Sequence, residues 1–491
     1  MTEFSARTRA ASLDAMAAEP LDVLVVGGGI VGTWIALTAT LRGYRTGLVE
    51  KGDFASGTSG KTSRMIHGGL RYLQQLRIGV VRQAARERNV LLRIAPDLVK
   101  PLTFLLPVYR GRGAKGWLIH LGLWLYDVFS RDKVLPKRVW LSREEALGRE
   151  PRLGGVGLVS GALYSDAITR DARLVVRVAR AASEAGAHVA NYTRVAELVR
   201  EDGRVRGAIV RDEETGRTFA VRASAVVNAT GVWGGDLQDP ARRLKLRPTK
   251  GIHVLVPRGR VGNMGAVVLP TEDHRIVFVL PWGDLSLIGT TDTGYRGDRE
   301  RVEADAGDVD YLLRAVNAGF PAANLTHADV VGAYAGLRPL IDTSEARESD
   351  ISRKHEVLED PDGLLTVAGG KLTTGRAMAE DVLAQVARRS PPKRDVDTRT
   401  ISLAGGTVPE GDLAHQVAHC ARHEMALHID DVLLRRLGLY HEREDQGTRI
   451  APEVAEALGV ELHWDAERRA SELARYREVV EAGRAWRTPH G

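Results

Sequence analysis

Cysteine is nearly absent from this sequence: Cys420 is the only one among 491 residues. One thiol excludes an internal disulfide framework and any zinc or iron–sulfur site built from several thiolates. We predict no metal site, so any redox chemistry would have to come from a bound cofactor.

Long apolar runs are also missing. No stretch reaches the roughly 20 apolar residues that a membrane-spanning helix requires. The nearest approach, residues 117–129, is shorter and contains His120 and Asp127. The first twenty residues carry scattered charge and lack the apolar centre of a secretory signal, so we expect a cytoplasmic protein.

The remaining composition is that of a globular protein, with 44% hydrophobic and 27% charged residues. These values exclude disordered, collagen-like and coiled-coil classes. The formal net charge of +6 is spread along the chain and predicts no nucleic-acid partner. The length corresponds to roughly three domain-sized units.

The first predicted unit is a strand, a turn, a helix and a second strand. The apolar run 22–26 is typical of a buried parallel strand, 33–41 of a helix, and 45–49 of the second strand. A unit of this kind is the setting in which a glycine-rich turn binds a dinucleotide.

The turn has the spacing Gly27-x-Gly29-x-x-Gly32. Glycine permits a tight turn, close approach of the backbone to a pyrophosphate, and close packing of helix on strand. Glu50 follows 23 residues after Gly27, at the end of the second strand, where a carboxylate can accept hydrogen bonds from ribose hydroxyls. The combination predicts dinucleotide binding.

The choice between NAD and FAD depends on where the chain returns to the sheet. After long insertions an apolar strand at 225–227 leads into Asn228-Ala229-Thr230-Gly231. This ending resembles the second fingerprint of FAD proteins, but a core strand followed by a turn fits equally well. The residues alone leave both interpretations open.

Longer segments resemble one family. They span residues 22–376 and are, in chain order, VVGGGIVG, SRMIHGGLRYL, VVNATGVW, KGIHVLVP, RIVFVLPW, LIGTTDT, GLRPL and GGKLTTGR. On these segments the chain resembles the aerobic, FAD-dependent glycerol-3-phosphate dehydrogenases, in the flavoprotein superfamily that includes D-amino acid oxidase and glycine oxidase. Gly375 departs from the pattern, because relatives often carry an aromatic residue there.

The resemblance implies an α/β fold: a Rossmann-like FAD-binding domain, an inserted substrate domain with a mixed or antiparallel β-sheet, and a C-terminal helical cap. Two prolines and a charge run at 391–395 predict a linker before the cap. The expected segments are an N-terminal arm, helical or disordered, over 1–21, the FAD-binding domain over 22–390, its substrate part at about 75–185 and 235–345, and the cap over 400–491.

The resemblance also implies the residues that hold FAD, without a covalent bond. The loop after Glu50 offers hydroxyl and N–H groups, and Val195 offers a backbone contact to adenine. At 369–373 a strand turns into a helix whose N-terminus can stabilise a reduced flavin, although an ordinary turn is the alternative. The expected cofactor contacts are Gly27, Gly29, Gly32, Glu50, Thr58, Ser59, Ser63, Val195, Gly231, Gly369, Lys371, Leu372 and Thr373.

The implied substrate is sn-glycerol 3-phosphate, oxidised to dihydroxyacetone phosphate by hydride transfer from C2 to FAD. A phosphate with a charge of about −2 requires clustered cations, preferably arginines with their planar fork of donors. Singly, each cation is more typical of a solvated surface charge, and only their joint occurrence in the resembling segments favours binding. The expected substrate contacts are Arg71, Tyr72, His253, Arg338, Arg353 and Lys371.

Oxidation of a secondary alcohol also releases a proton. Histidine accepts a proton near neutral pH without special tuning, and we expect His253 in this role, with His67 as the second choice. A core histidine is the alternative for either. Nearby cations can stabilise a developing alkoxide, so the predicted catalytic set is His253, Arg338 and Lys371.

The resemblance further implies a membrane quinone as electron acceptor, and hence peripheral association with the inner face of the cell membrane. Residues 117–129 have the composition of an interfacial anchor, while a buried core helix fits equally well. One broad face, at helical spacing, carries Trp117, Leu118, Leu121, Trp124, Leu125 and Phe129. The flanking basic residues are Arg110, Arg112, Lys115, Arg131, Lys133, Lys137 and Arg138.

Other functions would use much of the same sequence. An oxidase that reduces oxygen would share nearly all these residues, but family oxidases tend to carry a mid-chain insertion that is missing here. A related amine or amino-acid oxidase is disfavoured, because several cations exceed what one carboxylate needs. A non-catalytic flavoprotein scaffold would leave the cations without a role. The helical tail is expected to serve packing, site closure or a homodimer.

Overall fold

The computed structural model describes residues 2–70, 77–111, 116–129, 135–240, 243–273, 275–342 and 355–487. Its helices are α1 (Ala6–Ala18), α2 (Ile30–Leu41), α3 (Ile78–Ile94), α4 (Gly116–Phe129), α5 (Arg143–Arg149), α6 (Asp171–Glu184), α7 (Arg258–Val261), α8 (Ala306–Gly319), α9 (Gly375–Arg389), α10 (Leu413–His423), α11 (Leu439–Glu442), α12 (Ala451–Leu462) and α13 (Ala466–Ala482).

The strands form two sheets. They are β1 (Leu21–Val26), β2 (Thr46–Val49), β3 (Met65–Ile66), β4 (Val99–Tyr109), β5 (Val139–Ser142), β6 (Leu158–Thr169), β7 (His188–Ala190), β8 (Thr193–Glu201), β9 (Arg204–Asp212), β10 (Thr218–Asn228), β11 (Thr249–Pro257), β12 (Ala266–Pro270), β13 (Ile276–Trp282), β14 (Leu285–Gly289), β15 (Thr293–Gly294), β16 (Gly332–Arg338), β17 (Glu356–Glu359) and β18 (Leu365–Ala368).

The first sheet has the order β17-β18-β10-β1-β2-β7, and β8 and β9 extend it from β10. The pairs from β18 through β7 are parallel. β1 lies inside this sheet, which explains why its sequence is a continuous apolar run rather than an alternating one. The predicted unit of strand, helix and strand is confirmed as β1, α2 and β2, and the predicted Rossmann-like half of the fold with it.

Helix α9 packs closely on α2 at Gly375. A Cβ at this position would lie 2.9 Å from Ile30 Cγ1 and 3.3 Å from Trp34 Cδ1. Trp34 is among the largest fully buried side chains, so its indole occupies the space beside position 375. This is how the chain accommodates glycine in place of the aromatic residue expected there.

The N-terminal segment forms α1 and packs on the first sheet. Ser5 and Thr8 make a capping box that begins the helix. Leu13 and Met16 are buried in one cluster with residues of the sheet, and the Arg9 guanidinium pairs with Asp212. The segment is therefore helical, which was one of the two forms expected for it.

The second sheet has the order β15-β11-β14-β13-β12-β4-β6-β3, with β16 beside β11 and β5 beside β6. β12 and β4 are parallel, while the other pairs are antiparallel. This is the mixed sheet that we predicted for the inserted domain. Helix α8 contributes Leu312 and Val316 to the apolar core that covers one face.

Two glycines leave part of the second sheet without side chains where it faces the first. Gly251 of β11 and Gly336 of β16 are paired directly across the strands. A Cβ at Gly336 would lie 2.7 Å from the Lys61 carbonyl oxygen, and one at Gly251 would lie 2.7 Å from Thr290 Oγ1. The loop after Glu50 approaches the sheet closely at Gly336, and Gly251 leaves room for Thr290 and for the guanidinium of Arg338.

The C-terminal helices are held to the first sheet by a buried ionic cluster. Asp53 Oδ2 accepts hydrogen bonds from Arg435 Nε and Arg436 Nη1, both at 2.5 Å. Burial alone would raise the pKa of Asp53, but the two guanidinium charges outweigh it and hold that pKa well below its ordinary value. Removing one partner of a buried pair costs about 3–5 kcal/mol, so this cluster fixes the C-terminal helices on the loop that follows Glu50.

His428 predicts a pH dependence of stability in the same region. Its ring nitrogens lie 2.9 Å from Glu472 Oε1 and 2.9 Å from Glu214 Oε1. Burial opposes the charged ring, but the two carboxylates outweigh it and raise the pKa of His428 to about 9. A raised pKa in the folded state stabilises the fold fully below about pH 6.5, and this contribution is lost as the pH rises through about 9.

The free energy of unfolding should therefore fall by roughly 2–3 kcal/mol between pH 6.5 and 9 on account of His428. Denaturant titrations across that range measure it. In His428→Gln the slope should flatten, whereas His415→Gln, at an exposed histidine, should keep the wild-type slope. Equal slopes in the wild type and His428→Gln would contradict the assignment.

Candidate active site

A cleft of about 540 Å³ lies between the two sheets. Its walls include Val26 and Val49, at the carboxyl ends of β1 and β2, and Ala335–Leu337 of β16. Ligands of open α/β sheets bind outside the carboxyl ends of parallel strands. The fold thus places a cleft where the glycine motif predicts one.

The glycine motif shapes one wall by close backbone approach. Gly27 has φ +114°, and a Cβ there would lie 2.6 Å from the Ala229 carbonyl oxygen. A Cβ at Gly32 would overlap the Gly27 carbonyl oxygen. Gly29 begins α2 without a side-chain cap, so the positive end of the helix dipole faces the cleft, as a pyrophosphate requires.

Glu50 is held in one orientation by backbone donors. Its Oε2 accepts from Gly28 N–H at 2.6 Å, and its Oε1 accepts from Gly52 N–H at 2.9 Å. Burial raises the pKa of Glu50, and the two N–H groups oppose that shift. Each oxygen keeps a second lone pair, which is what a ribose diol would use.

Most of the predicted cofactor residues lie together. Ser59 Oγ accepts from Ile30 N–H at 3.0 Å, and Thr58 Oγ1 donates to the Leu337 carbonyl at 2.7 Å, so this loop ties α2 to β16. Gly32, Ser63 and Thr373 are not among the residues that line the cleft. The predicted residues that line it are Gly27, Gly29, Glu50, Thr58, Ser59, Val195, Gly231, Gly369, Lys371 and Leu372. Close glycine turns, an exposed helix N-terminus and a fixed carboxylate fit a dinucleotide.

His253 lies on β11, behind this cleft. Its Nε2 is 2.8 Å from Ser63 Oγ, and its ring stacks on Tyr334 at 4.8 Å between centroids. Among the described residues Nδ1 has no hydrogen-bond partner. Burial, with the charges of Arg338 and Arg64, holds the pKa of His253 well below its ordinary value. The ring is therefore neutral near pH 7, so one of its two nitrogens carries a lone pair.

Arg338 is held in place at the end of β16. Its Nη1 donates to Asp292 Oδ1 at 3.0 Å, and its Nη2 donates to Thr290 Oγ1 and to the Thr291 carbonyl, both at 3.0 Å. The guanidinium lies over Gly251, on the sheet face that also carries His253. A preorganised guanidinium beside a neutral histidine can bind an anion or stabilise an alkoxide.

Arg64 is a site residue that the sequence argument did not single out. It is buried, and its guanidinium carbon lies 4.0 Å from the centroid of Trp282 and 5.8 Å from that of Tyr334. Within the described part of the chain no carboxylate lies at ion-pair distance from it. The signal was available, since Arg64 follows Ser63 in the segment SRMIHGGLRYL.

For the other predicted residues the structure gives fewer contacts or none. His67 N–H donates to Thr373 Oγ1 at 3.2 Å, so the SRMIHGGLRYL and GGKLTTGR segments meet, and Lys371 lines the cleft. Arg71, Tyr72 and Arg353 lie outside the described residues.

The C-terminal helices contact two aromatic side chains near His253 and Arg64. His441 of α11 packs against Tyr334 with ring centroids 5.0 Å apart, and Glu442 accepts from Trp282 Nε1 at 3.2 Å. No sequence motif pointed to this contact, because it depends on how the C-terminal helices dock.

Helix α4 is both a core helix and a surface helix. Leu123 and Tyr126 are buried, whereas Leu118, Leu121 and Trp124 are 44–47% exposed. His120 packs against exposed Trp140 of β5, which extends the apolar surface. Arg112, Lys115, Arg131 and Lys133, and the side chains of Trp117 and Phe129, lie outside what the structure describes.

Two features are absent from the described residues. None of their helices combines the length and apolar character needed to span a bilayer. No group of three or more His, Cys, Asp or Glu side chains among them is arranged to hold a metal ion.

Known proteins resemble this chain along nearly its whole length. Residues 22–385 match the family model of FAD dependent oxidoreductases, and residues 378–469 match that of the C-terminal domain of alpha-glycerophosphate oxidase. Glycerol-3-phosphate dehydrogenase 2 of Mycobacterium bovis is 38% identical, over 96% of this chain and 90% of that protein. Aerobic glycerol-3-phosphate dehydrogenase of Staphylococcus epidermidis is 37% identical, over 88% and 79%.

A solved structure shares the fold throughout. The glycerol-3-phosphate dehydrogenase from Bacillus halodurans, complexed with FAD, superposes with a TM-score of 0.81 at 27% identity. The match covers 99% of this chain and 100% of that one. The expected combination of FAD-binding domain, inserted sheet and C-terminal helices is confirmed.

Proposed function

The chain belongs to the family of FAD-dependent oxidoreductases, and we propose that it oxidises sn-glycerol 3-phosphate to dihydroxyacetone phosphate. FAD is its cofactor. The observation that carries the proposal is that the Arg338 guanidinium lies over Gly251, on the sheet face that also carries His253, beside a dinucleotide cleft. The names and coverage of the relatives support the same substrate.

Different side chains bind the phosphate, accept the proton and stabilise the alkoxide. Bound FAD supplies the acceptor for the hydride that leaves C2. Arg338 and Lys371, with Arg71 and Tyr72 from SRMIHGGLRYL and Arg353 from 351–355, bind the phosphate. His253 accepts the proton of the C2 hydroxyl, and the neighbouring guanidinium charges stabilise the developing alkoxide.

The membrane quinone is the proposed electron acceptor. A quinone dissolved in a bilayer can be reached by a protein that lies on the membrane surface, and the exposed apolar face of α4 supports this geometry. We therefore favour a dehydrogenase on the inner face of the cell membrane over an oxidase.

Anaerobic titration of the purified holoprotein tests the reaction. sn-Glycerol 3-phosphate should bleach the visible absorbance of the oxidised flavin and yield one dihydroxyacetone phosphate per flavin. Glycerol and sn-glycerol 1-phosphate are the matched controls and should bleach it far more slowly. No bleaching by any phosphorylated triol would reject the function, and stoichiometric peroxide in air would reject the dehydrogenase in favour of the oxidase.

The α4 surface gives a separate prediction. A Leu121→Glu, Trp124→Glu variant should bind vesicles containing anionic phospholipid at least about tenfold more weakly, because it places two charges where apolar area would be buried. Co-sedimentation measures the bound fraction. Val460→Glu is the control, since Val460 is 65% exposed on α12; if both variants bind equally, α4 is not the docking surface.

A further inference from the structure

A loop of the second sheet contacts the first sheet at the dinucleotide cleft. Residues 295–302 lie between β15 and α8, and Arg299 and Glu300 of this loop line the cleft. Lys51, which follows β2, and Asp236, which follows β10, line the same cleft from the first sheet. The loop therefore connects the two walls between which a dinucleotide would lie.

Arg299 makes the first connection. Its Nη2 donates to Asp236 Oδ2 at 3.0 Å and to Oδ1 at 3.2 Å, and its Nη1 donates to the Val232 carbonyl at 3.0 Å. A guanidinium that bonds both a carboxylate and a carbonyl is held in one geometry. The bonds must break before the two walls can separate at this point.

Glu300 makes the second connection, beside the predicted ribose site. Its carboxylate pairs with the ammonium of Lys51, the residue that directly follows Glu50. The same ammonium lies 3.7 Å from the ring centroid of Trp233, another residue of the cleft wall. Two adjacent loop residues thus pair with two separate segments of the first sheet.

The loop has a fixed shape of its own. The Tyr295 hydroxyl lies 2.8 Å from the Asp298 carbonyl oxygen and 3.2 Å from the Arg301 carbonyl oxygen. Glu300 N–H donates to Asp298 Oδ1 at 2.8 Å. Gly297 leaves room for the tyrosine, because a Cβ there would lie 2.8 Å from Tyr295 Cζ. A loop ordered in this way loses little conformational entropy when its two charged side chains pair across the cleft.

We propose that residues 295–302 form a strap that retains FAD: Arg299 and Glu300 close the cleft by pairing with Asp236 and Lys51, and FAD leaves after both pairs have opened. FAD is the cofactor of this family. The inference goes beyond the proposed function, because retention of the cofactor does not depend on which substrate is oxidised.

The release of FAD from the holoprotein tests the strap. It is followed after dilution by the rise in flavin fluorescence. Arg299→Ala should release FAD about three- to tenfold faster than wild type, because one connection is lost. Combining it with Glu300→Ala should bring the acceleration to about 10- to 100-fold.

Arg296→Ala is the matched control. Arg296 lies in the same loop and is exposed, and among the described residues it has no ion-pair partner. Its FAD release rate should stay within about twofold of wild type. Equal rates in Arg299→Ala and Arg296→Ala would overturn the proposal.

An exchange of charges separates pairing from other effects of the arginine. Arg299→Asp should accelerate release more than Arg299→Ala, because it places two carboxylates together. Adding Asp236→Arg to Arg299→Asp should slow release again, since the pair is restored with its charges reversed. If the second substitution fails to slow release, the arginine acts through the fold and not through the pair, and the proposal is overturned.

Salt gives an independent readout. The side chains of Arg299 and Asp236 are 37% and 38% exposed, so added salt screens their attraction. The ratio of the release rates of Arg299→Ala and wild type should fall towards one as salt is raised, and a ratio that does not change would overturn the strap. None of these measurements needs turnover, so they stay readable if sn-glycerol 3-phosphate proves not to be the substrate.

Discussion

Arg338→Ala should lower kcat/KM for sn-glycerol 3-phosphate by about 30- to 5000-fold, which corresponds to roughly 2–5 kcal/mol of transition-state stabilisation. The effect should be large because Asp292, Thr290 and the Thr291 carbonyl hold the guanidinium in place before substrate arrives. A preorganised charge costs no reorganisation when the anion binds or the alkoxide develops. Steady-state kinetics with a quinone analogue measure the loss.

Two further variants separate charge from geometry. Arg338→Lys keeps the charge but loses the planar fork, so its activity should lie between wild type and Arg338→Ala. Arg260→Ala removes the same charge from an exposed pair with Asp329 and should change kcat/KM little. Arg338→Ala with kinetics like those of Arg260→Ala would remove Arg338 from the site.

Sequence patterns predicted the parts of the fold that depend on local chemistry. The buried run of β1, the glycine turn and the period of α2 each follow from residues close together in the chain. Between α10 and α11, by contrast, the structure has a π-helical turn over Asp431–Arg436. The wider turn brings consecutive Arg435 and Arg436 onto Asp53, and such a long-range ion cluster leaves no local signal.

The residues of the candidate site also fall into two groups: those predictable from the sequence and those that depend on long-range contacts. Glu50 could be placed from its spacing after the glycine motif, and Ser59 from the resemblance. Tyr334 could not, because its stacking on His253 depends on the pairing of β11 with β16. His441 depends on the docking of the C-terminal helices. Single segments predicted the candidate binding and catalytic residues. Strand register and the docking of the C-terminal helices determine which other side chains surround those residues.

The two interpretations of residues 117–129 turn out to be compatible. Helix α4 buries Leu123 and Tyr126 and exposes Leu121 and Trp124, so one helix can serve as core and as surface. Helical spacing placed Leu121 and Trp124 on one face, but an apolar face alone does not show whether it is buried or exposed.

His253→Asn should lower kcat by about 10²- to 10⁴-fold, the range expected for loss of a general base. KM should change much less, because the phosphate-binding cations remain. The pKa of His253 is held well below its ordinary value by burial and by Arg338 and Arg64, so the neutral ring prevails near pH 7. Base activity should be lost only as the pH falls through that lowered pKa.

The wild-type kcat should therefore stay level down to about pH 6.5 and decline only below it, and His253→Asn should lack this acid limb. The measurement is anaerobic flavin reduction by stopped flow, which isolates the oxidation of substrate from the later transfer to the acceptor. Ser63→Ala is the control, because it removes the partner of Nε2 at 2.8 Å but leaves the imidazole; its kcat should fall by about tenfold or less. The assignment would be contradicted if His253→Asn raised KM and reduced kcat no more than Ser63→Ala. The imidazole would then be a substrate contact. The proton of the C2 hydroxyl would need another acceptor, and His67 would be tested next.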